Sequence, residues 1–451
     1  MSSRTVSRRS KAVRRTTAAE FSFTADDVRR RSEASGEPKK LASRRMESWQ
    51  RYTELPMPTT SDEPWRRTDI RALPAEEMQL KPADDRPVNP ELLEPLAGDE
   101  HGSLLVLRPG HEPQLEVDAD LAAQGVIFAD WATALREHPD VLEKHMGRIV
   151  SPGDGKFAAL TAAMAIDGAL LYVPRGVQVE QPLHTVFWAP GVHGAYFSRV
   201  LVVLEQGASA TFVYEAASPT EAEGSALHAA MVELSVAQDA QLRFVELQNL
   251  GEHTWNFTHE RTRVERNGRV DWIFGAVGSQ LTKTFSDLDL AGEGSEGRIS
   301  GFYFASGRQH LDHDTQQNHL APNTTSDLLY KGALIERSRS VWQGMIYVAP
   351  GAQKTDGYQA NRNLVLSKNA RADSIPGLEI MADDVRCTHG ATVGQLEEEP
   401  IFYLMSRGLP RSEAERMVID GFFTPIMDRI PFERVRERFT RMIDDKLGVR
   451  A

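Results

Sequence analysis

From about Ala169 to about Gly394 the chain is a succession of short β-rich runs punctuated by small turn elements. The runs fall at 170–173, 200–204, 211–214, 242–247, 270–274, 298–304 and 341–348. The turns are Glu205-Gln206-Gly207-Ala208, Ala237-Gln238-Asp239-Ala240, Arg266-Asn267-Gly268 and Ser367-Lys368-Asn369-Ala370. Gly207 and Asp239 lie 32 positions apart, Asp239 and Gly268 29, and Gly351 and Asn369 18. Such spacings fit one or two rungs of a β-solenoid, in which each rung buries its face only against its neighbours. A β-sandwich would show similar runs, so spacing alone leaves both open with the solenoid ahead.

Helical patterns flank this middle. Thr24-Ala25-Asp26-Asp27 resembles a capping box, and Leu41, Met46 and Trp49 recur at helical spacing before Pro56. A Pro- and acid-rich stretch from Pro82 to Pro95 reads as a linker. Short strands at 104–107 and 126–128 and helices at 131–138 and 141–145 come next. After 396 the chain turns helical again. One helix ends at Gly408, Ser412 with Glu415 predicts a capping box for a second running to about Phe422, and a third follows Pro431. The third places Val435, Phe439, Met442 and Ile443 on one face and ends at Gly448. The plan is a leader at 1–23, a mixed helical domain at 24–150, a β core at 151–395 and a helical domain at 396–451.

The single cysteine, Cys387, limits both fold and chemistry. It excludes an internal disulfide framework and points to a reducing compartment. Structural zinc sites and iron–sulfur clusters usually draw on several thiolates or imidazoles. A metal–sulfur function must therefore be shared with a partner chain, and the isolated chain is expected to hold no stable cluster.

Charge is uneven. Residues 1–51 carry 14 Lys+Arg against 6 Asp+Glu, and the other 400 carry 38 against 58. So acidic a body suits neither nucleic acid nor an anionic membrane. No run of about 18 uncharged apolar residues predicts a spanning helix. The leader (Arg4, Arg8, Arg9, Lys11, Arg14, Arg15) lacks an apolar stretch, so it does not read as a secretory signal. A disordered basic tail is favoured over a transit peptide or a nucleic-acid arm.

Common catalytic motifs are missing or misplaced. Gly292-Glu293-Gly294-Ser295-Glu296-Gly297 fits GxGxxG, but a strand pattern follows where a helix is required, so it reads as a turn. Gly153-Asp154-Gly155-Lys156 falls short of a Walker A sequence, and neither HExxH nor GxSxG occurs. His310, His313 and His319, with Asp312 and Asp314, are the densest group of ligand types. In a strand 310 and 313 face opposite sides, so a polar turn with solvated histidines is favoured over a metal site. Asp287 and Asp289 share one strand face, as acids can in polysaccharide-acting solenoids.

The most informative stretch is 382–394, Ala-Asp-Asp-Val-Arg-Cys-Thr-His-Gly-Ala-Thr-Val-Gly. If extended, it sends Cys387 and His389 out on one face, with α-carbons about 6–7 Å apart. A protonated His389 and Arg386 would lower the thiol pKa and make it a better ligand. The competing reading is an inert buried cysteine.

This stretch resembles the SufB/SufD family of the Suf iron–sulfur cluster assembly system, and within it the D-type subunits. Gln309-His310-Leu311-Asp312-His313, residues 320–326, Tyr330-Lys331-Gly332, 346–356, 397–408 and Pro64-Trp65-Arg66-Arg67-Thr68-Asp69 look like further signatures in order. The resemblance runs from about Phe23 to the C-terminus and leaves out the leader. It implies a mainly β fold, a right-handed parallel β-helix between helical terminal domains. It implies a non-enzymatic subunit complexed with a SufB paralogue and the ATPase SufC, the latter docking on 396–423. By the same resemblance His389 and, secondarily, Cys387 are metal ligands facing a SufB cysteine around a transient shared cluster. B-type chains carry a glutamate after the matching histidine and a cysteine upstream, where Gly390 and Asn361 stand here. A reduced flavin serving the complex, a homodimer of the isolated chain, and a cytoplasmic location (plastid if the leader is a transit peptide) are compatible with it. The competing functions are a polysaccharide-acting β-helix enzyme using Asp287, Asp289, Asp312 and Asp314, and a Cys387/His389 nucleophile–base catalyst.

Overall fold

A computed structural model describes residues 17–80, 84–94 and 102–448. The basic residues of the leader from Arg4 to Arg15, and parts of the Pro-rich stretch, lie outside the described residues.

From Asp167–Val173 to Arg386–Gly394, successive strands alternate between two sheets and run parallel within each. The result is a parallel β-solenoid of about eight turns, with helices at both ends of the chain. Paired residues of one sheet are 26 to 32 positions apart, the period glimpsed in the sequence. The sandwich alternative, which needs antiparallel sheets, is set aside.

One corner of every turn is built the same way. Gly176, Gly207, Asp239, Asn267, Gly294, Asn323 and Lys354 all have positive φ, between 52° and 75°. Each donates its backbone N–H to the next turn's corner, for example Gly207 to Gln238 O at 2.9 Å and Asp239 to Arg266 O at 2.9 Å. Gly, Asn and Asp tolerate that conformation best, which is why the period shows as scattered turn residues. Gly294 of the GxGxxG match is one of these corners, and the strand Glu296–Ala305 follows it. The 18-position pair Gly351 and Asn369 spans two different corners of one turn and is not a rung.

Alternate residues face the interior. Phe212, Phe244, Trp272, Ile299 and Leu328 form one column on paired strands. Phe212 stacks on Phe244 at 6.1 Å, and Phe244 meets Trp272 edge-on at 5.6 Å. Bulk is relieved by glycine, since Gly301 pairs with Tyr330 and Gly332 with Tyr303. A Cβ on Gly301 would stand 1.8 Å from the Tyr330 ring.

The solenoid begins with two antiparallel pairs, Ser103–Leu107 with Gln114–Val117 and Ile127–Asp130 with Asp167–Val173. Around them lie α1 (Ala25–Ala34), α2 (Lys39–Glu54), α3 (Ala119–Ala123), α4 (Trp131–Glu137), α5 (Pro139–His145) and α6 (Lys156–Met164). The Thr24–Asp27 capping box is present at α1. Phe157 of α6 stacks on Phe257 of the nine-stranded sheet at 3.8 Å.

At the other end come α7 (Glu398–Ser406), α8 (Arg411–Met427) and α9 (Glu433–Leu447). The expected Ser412–Glu415 box does not form. Pro410 is the N-cap residue, and Glu415 is instead bound by Arg411 at 2.8 Å. Phe423 and Phe439 pack on Phe302 of the ten-stranded sheet at 5.5 and 4.6 Å. Phe423, at the end of the range 396–423 that the resemblance offers for docking, is therefore covered by this chain's own solenoid. Among the described residues no helix is long and apolar enough to cross a membrane.

Candidate functional site

Each solenoid turn covers the one before it, so the last is open. Arg371–Ile380 and Arg386–Gly394 are the terminal strands of the two sheets and pair along one edge only, among the described residues. Leu378, Ile380, Met381 and Val393, apolar groups at this end, are 37% to 54% exposed.

Cys387 and His389 stand on the last strand. Cys387 pairs with Gly357 and His389 with Gln359, so both continue interior columns. One column runs Val270, Gly297, Ser326, Gly357, Cys387, and its neighbour Ile299, Leu328, Gln359, His389. The expected shared strand face thus exists, and it is the mouth of the solenoid interior. Cys387 is half-buried beside Ile346, Val348 and Ala352, and His389 is exposed.

The thiol's electrostatics differ from expectation. Burial pushes the Cys387 thiol up and the Asp356 carboxylate adds to that, with a backbone hydrogen bond to Gly357 opposing them. Arg386 does not lower it, because its guanidinium pairs with Asp356 at 3.3 Å in a largely solvated contact. Among the described residues, no three His, Cys, Asp or Glu side chains gather into a group that could hold a metal. A cluster or iron held through Cys387 and His389 needs its other ligands from outside.

The histidine row is not a solvated turn. It is the strand His310–His319, whose alternation sends His313 and His319 inward, both fully buried. His313 sits among the rings of Phe274, Tyr303 and Tyr330 at 5.0, 5.4 and 6.0 Å, and neither ring nitrogen finds a protein partner. His319 is held between the hydroxyls of Thr324 and Ser326, each at 2.8 Å. His310 faces outward under Thr68, at 2.8 Å from its hydroxyl. Burial lowers His313 to about 3 and the other two to about 4, so all three are neutral at pH 7 and do not converge.

The acids proposed for polysaccharide chemistry are structural ties. Arg261 Nε donates to Asp287 at 2.9 Å, and Asn318 Nδ2 to Asp289 at 2.7 Å. Lys283, itself fully buried, pairs with Asp312 at 3.0 Å and Asp314 at 2.9 Å. Held this way, the four lend that reading no support.

Two residues at the mouth were not singled out from the sequence. A Cβ on Gly357 would lie 3.3 Å from both Cys387 Sγ and His319 Nε2, so this glycine keeps the space between them. Gln359, beneath His389, donates to the carbonyls of Gly377 and Gly344 at 2.9 and 3.3 Å. The turn period was the available signal, since the partners of Cys387 and His389 lie one turn upstream.

Residues 187–422 match the family model described as SUF system FeS cluster assembly, SufBD core domain, and residues 111–185 match the SufBD protein N-terminal region. The chain belongs to the SufBD family. It is 34% identical over 317 residues to the iron-sulfur cluster assembly protein SufB of Bacillus subtilis, a match covering 70% of this chain and 67% of that one. It is 33% identical over 320 residues to an iron-sulfur cluster assembly SufBD family protein of Staphylococcus epidermidis, covering 70% and 68%. A SufBD family protein of Staphylococcus haemolyticus is 32% identical over the same length. The SufBD family assignment makes this an iron–sulfur cluster assembly protein.

Proposed function

We propose that this SufBD chain is the D-type, non-catalytic subunit of the Suf complex. It pairs through its open solenoid end with a B-type paralogue and presents His389, and secondarily Cys387, to a nascent cluster that is cargo. The observation that carries the reading is the ending of two adjacent interior columns on Cys387 and His389, where both sheets have edges unpaired among the described residues. One thiol and one imidazole make half a ligand set, so the partner supplies the rest. The D-type branch is supported by Gly390 and Asn361, which stand where B-type chains carry glutamate and cysteine. A Cβ on Gly390 meets nothing within 4 Å, so packing does not forbid a glutamate there. Asn361 is fully buried, donates to Tyr303 Oη at 3.2 Å and accepts from Asn363 at 2.6 Å.

The SufC ATPase docks, on this reading, on α7 and the start of α8. Phe402, Tyr403, Met405 and Met417 there are 73%, 56%, 40% and 51% exposed and form an apolar surface in need of a cover. The isolated chain keeps no cluster, any flavin belongs to the complex, and the lone reduced thiol suits the cytoplasm.

The test is co-expression with a B-type paralogue and SufC. His389→Ala should leave co-elution intact, since one side chain rarely decides a large interface. Cluster absorbance in the assembled complex should fall severalfold, and Cys387→Ala should be milder because the partner can supply thiolates. Full cluster build-up in His389→Ala would make this histidine structural and end the reading.

A further inference from the structure

Far from the open end, a cavity of about 260 Å³ lies between α2, α6, the loop following α5 and the strand Ala195–Leu204. Four arginines line it, Arg44, Arg45, Arg148 and Arg199, and two are not fully engaged. Arg199 is 6% exposed and its Nε has no hydrogen-bond partner. Arg44 gives one Nη to Glu143 O at 3.1 Å, while its other Nη is buried with no partner.

The nearby carboxylates do not cancel this charge. Glu37 is taken by Arg45, through hydrogen bonds of 2.8 and 3.0 Å. Glu233 accepts from the backbone N–H groups of Gly147, Ile149 and Val150 at 2.9, 3.1 and 3.2 Å, and reaches Arg199 only at 3.5 Å. That carboxylate thereby shapes the loop forming the cavity wall and meets Arg199 through one Nη alone, so the Arg199 Nε stays without a partner. Glu47 stands at the exposed rim, as does Arg148. A buried donor without a partner is costly, more so when charged, so such a site is kept where something completes it.

We infer that this cavity binds a small organic anion, a carboxylate or a phosphate monoester. Its head is held by Arg44, Arg148 and Arg199. Guanidinium forks match either oxyanion in a two-pronged fashion. Its short carbon body lies on Leu41, Met146 and Ala162, which line the same space. The volume excludes a nucleotide-sized ligand, since drug-sized pockets begin at about 300 Å³.

Isothermal titration of the full chain with succinate and with glycerol 3-phosphate, each against a chloride-matched control, tests it. At least one should bind one-to-one with a dissociation constant below about 1 mM, and the one that does so names the head group. Arg44→Gln with Arg148→Gln should weaken that binding at least about tenfold, the effect of losing charged hydrogen bonds. Both residues sit toward the surface, so circular dichroism should show an unchanged fold, and Arg148→Gln alone serves if the pair does not fold. Saturable heat from neither ligand, or affinity unchanged in the variant, would overturn the proposal.

Discussion

The Cys387 thiol and the carboxyls of Glu246 and Glu260 are both ruled by burial, with opposite consequences for use. The thiol is held above its ordinary value, so little thiolate exists at pH 7 until a metal or partner displaces the proton. Its reaction with iodoacetamide should show a midpoint above about 8.5, the usual cysteine value. Asp356→Asn should bring that midpoint down. A midpoint below the free-cysteine value would contradict the assignment. In the interior, burial pushes Glu246 up to about 7 and raises its neighbour Glu260 well above the usual range, with the Glu246 charge adding to the latter. Ser286 donates to Glu260 at 3.1 Å. A carboxyl raised in the folded state binds its proton more tightly there than when unfolded. Its stabilisation is complete below about pH 4.5 and is lost as pH rises through about 7. Glu260→Gln should therefore raise the melting temperature more at pH 8 than at pH 5, and a larger gain at pH 5 would reverse the sign.

Two devices tie strands and helices together and can each be broken by one substitution. Arg438 of α9 donates to both oxygens of the fully buried Glu215 at 2.8 and 2.6 Å. Removing one partner of a buried pair typically costs about 3–5 kcal/mol, so Arg438→Leu should lower the melting temperature markedly and loosen α9. Protease susceptibility of 433–447 would report it, and an unchanged melt would sink the claim. Gly301→Ala should also destabilise strongly, because the added carbon meets the Tyr330 ring and a packed interior cannot yield. Much of this was legible in the sequence, and the rest was hidden for definite reasons. Corners announced themselves because positive φ selects Gly, Asn and Asp. The strands Thr254–Val264, Leu281–Leu290 and His310–His319 did not, because polar residues are mixed into both faces, with Glu260, Ser286 and Thr315 inside and Arg261, Asp287 and Gln316 outside. The N-terminal segment covers that outer face, and ion pairs such as Lys283 with Asp312 satisfy it, so polarity there does not mean exposure. Cys387 and His389 were legible as a pair, whereas Gly357 and Gln359 show their place only through strand register.

The whole molecule is a one-ended solenoid. Antiparallel strands and helices occupy its beginning, α8 and α9 cover one flank, and the last turn has no cover among the described residues. Parallel edges with apolar rims invite another chain, and natural proteins seldom leave them bare. A second solenoid placed there would continue both sheets and bring its own ligands to the mouth, making a site neither chain holds alone. Because α8 and α9 are packed on the solenoid, deleting 396–451 would expose that face and confound any loss of SufC. Phe402→Ser with Tyr403→Ser is the cleaner change and should release SufC while the B-type partner stays bound, as read by gel filtration. The most direct measurement is the amount of B-type paralogue that co-elutes with Ile380→Arg, Val393→Arg, relative to the unaltered chain, with melting curves recorded for both. Co-elution should fall at least about tenfold, as charge is buried in an apolar rim, while the melt is unchanged. Undiminished co-elution would show that the chains meet elsewhere and that Cys387 and His389 do not face a partner.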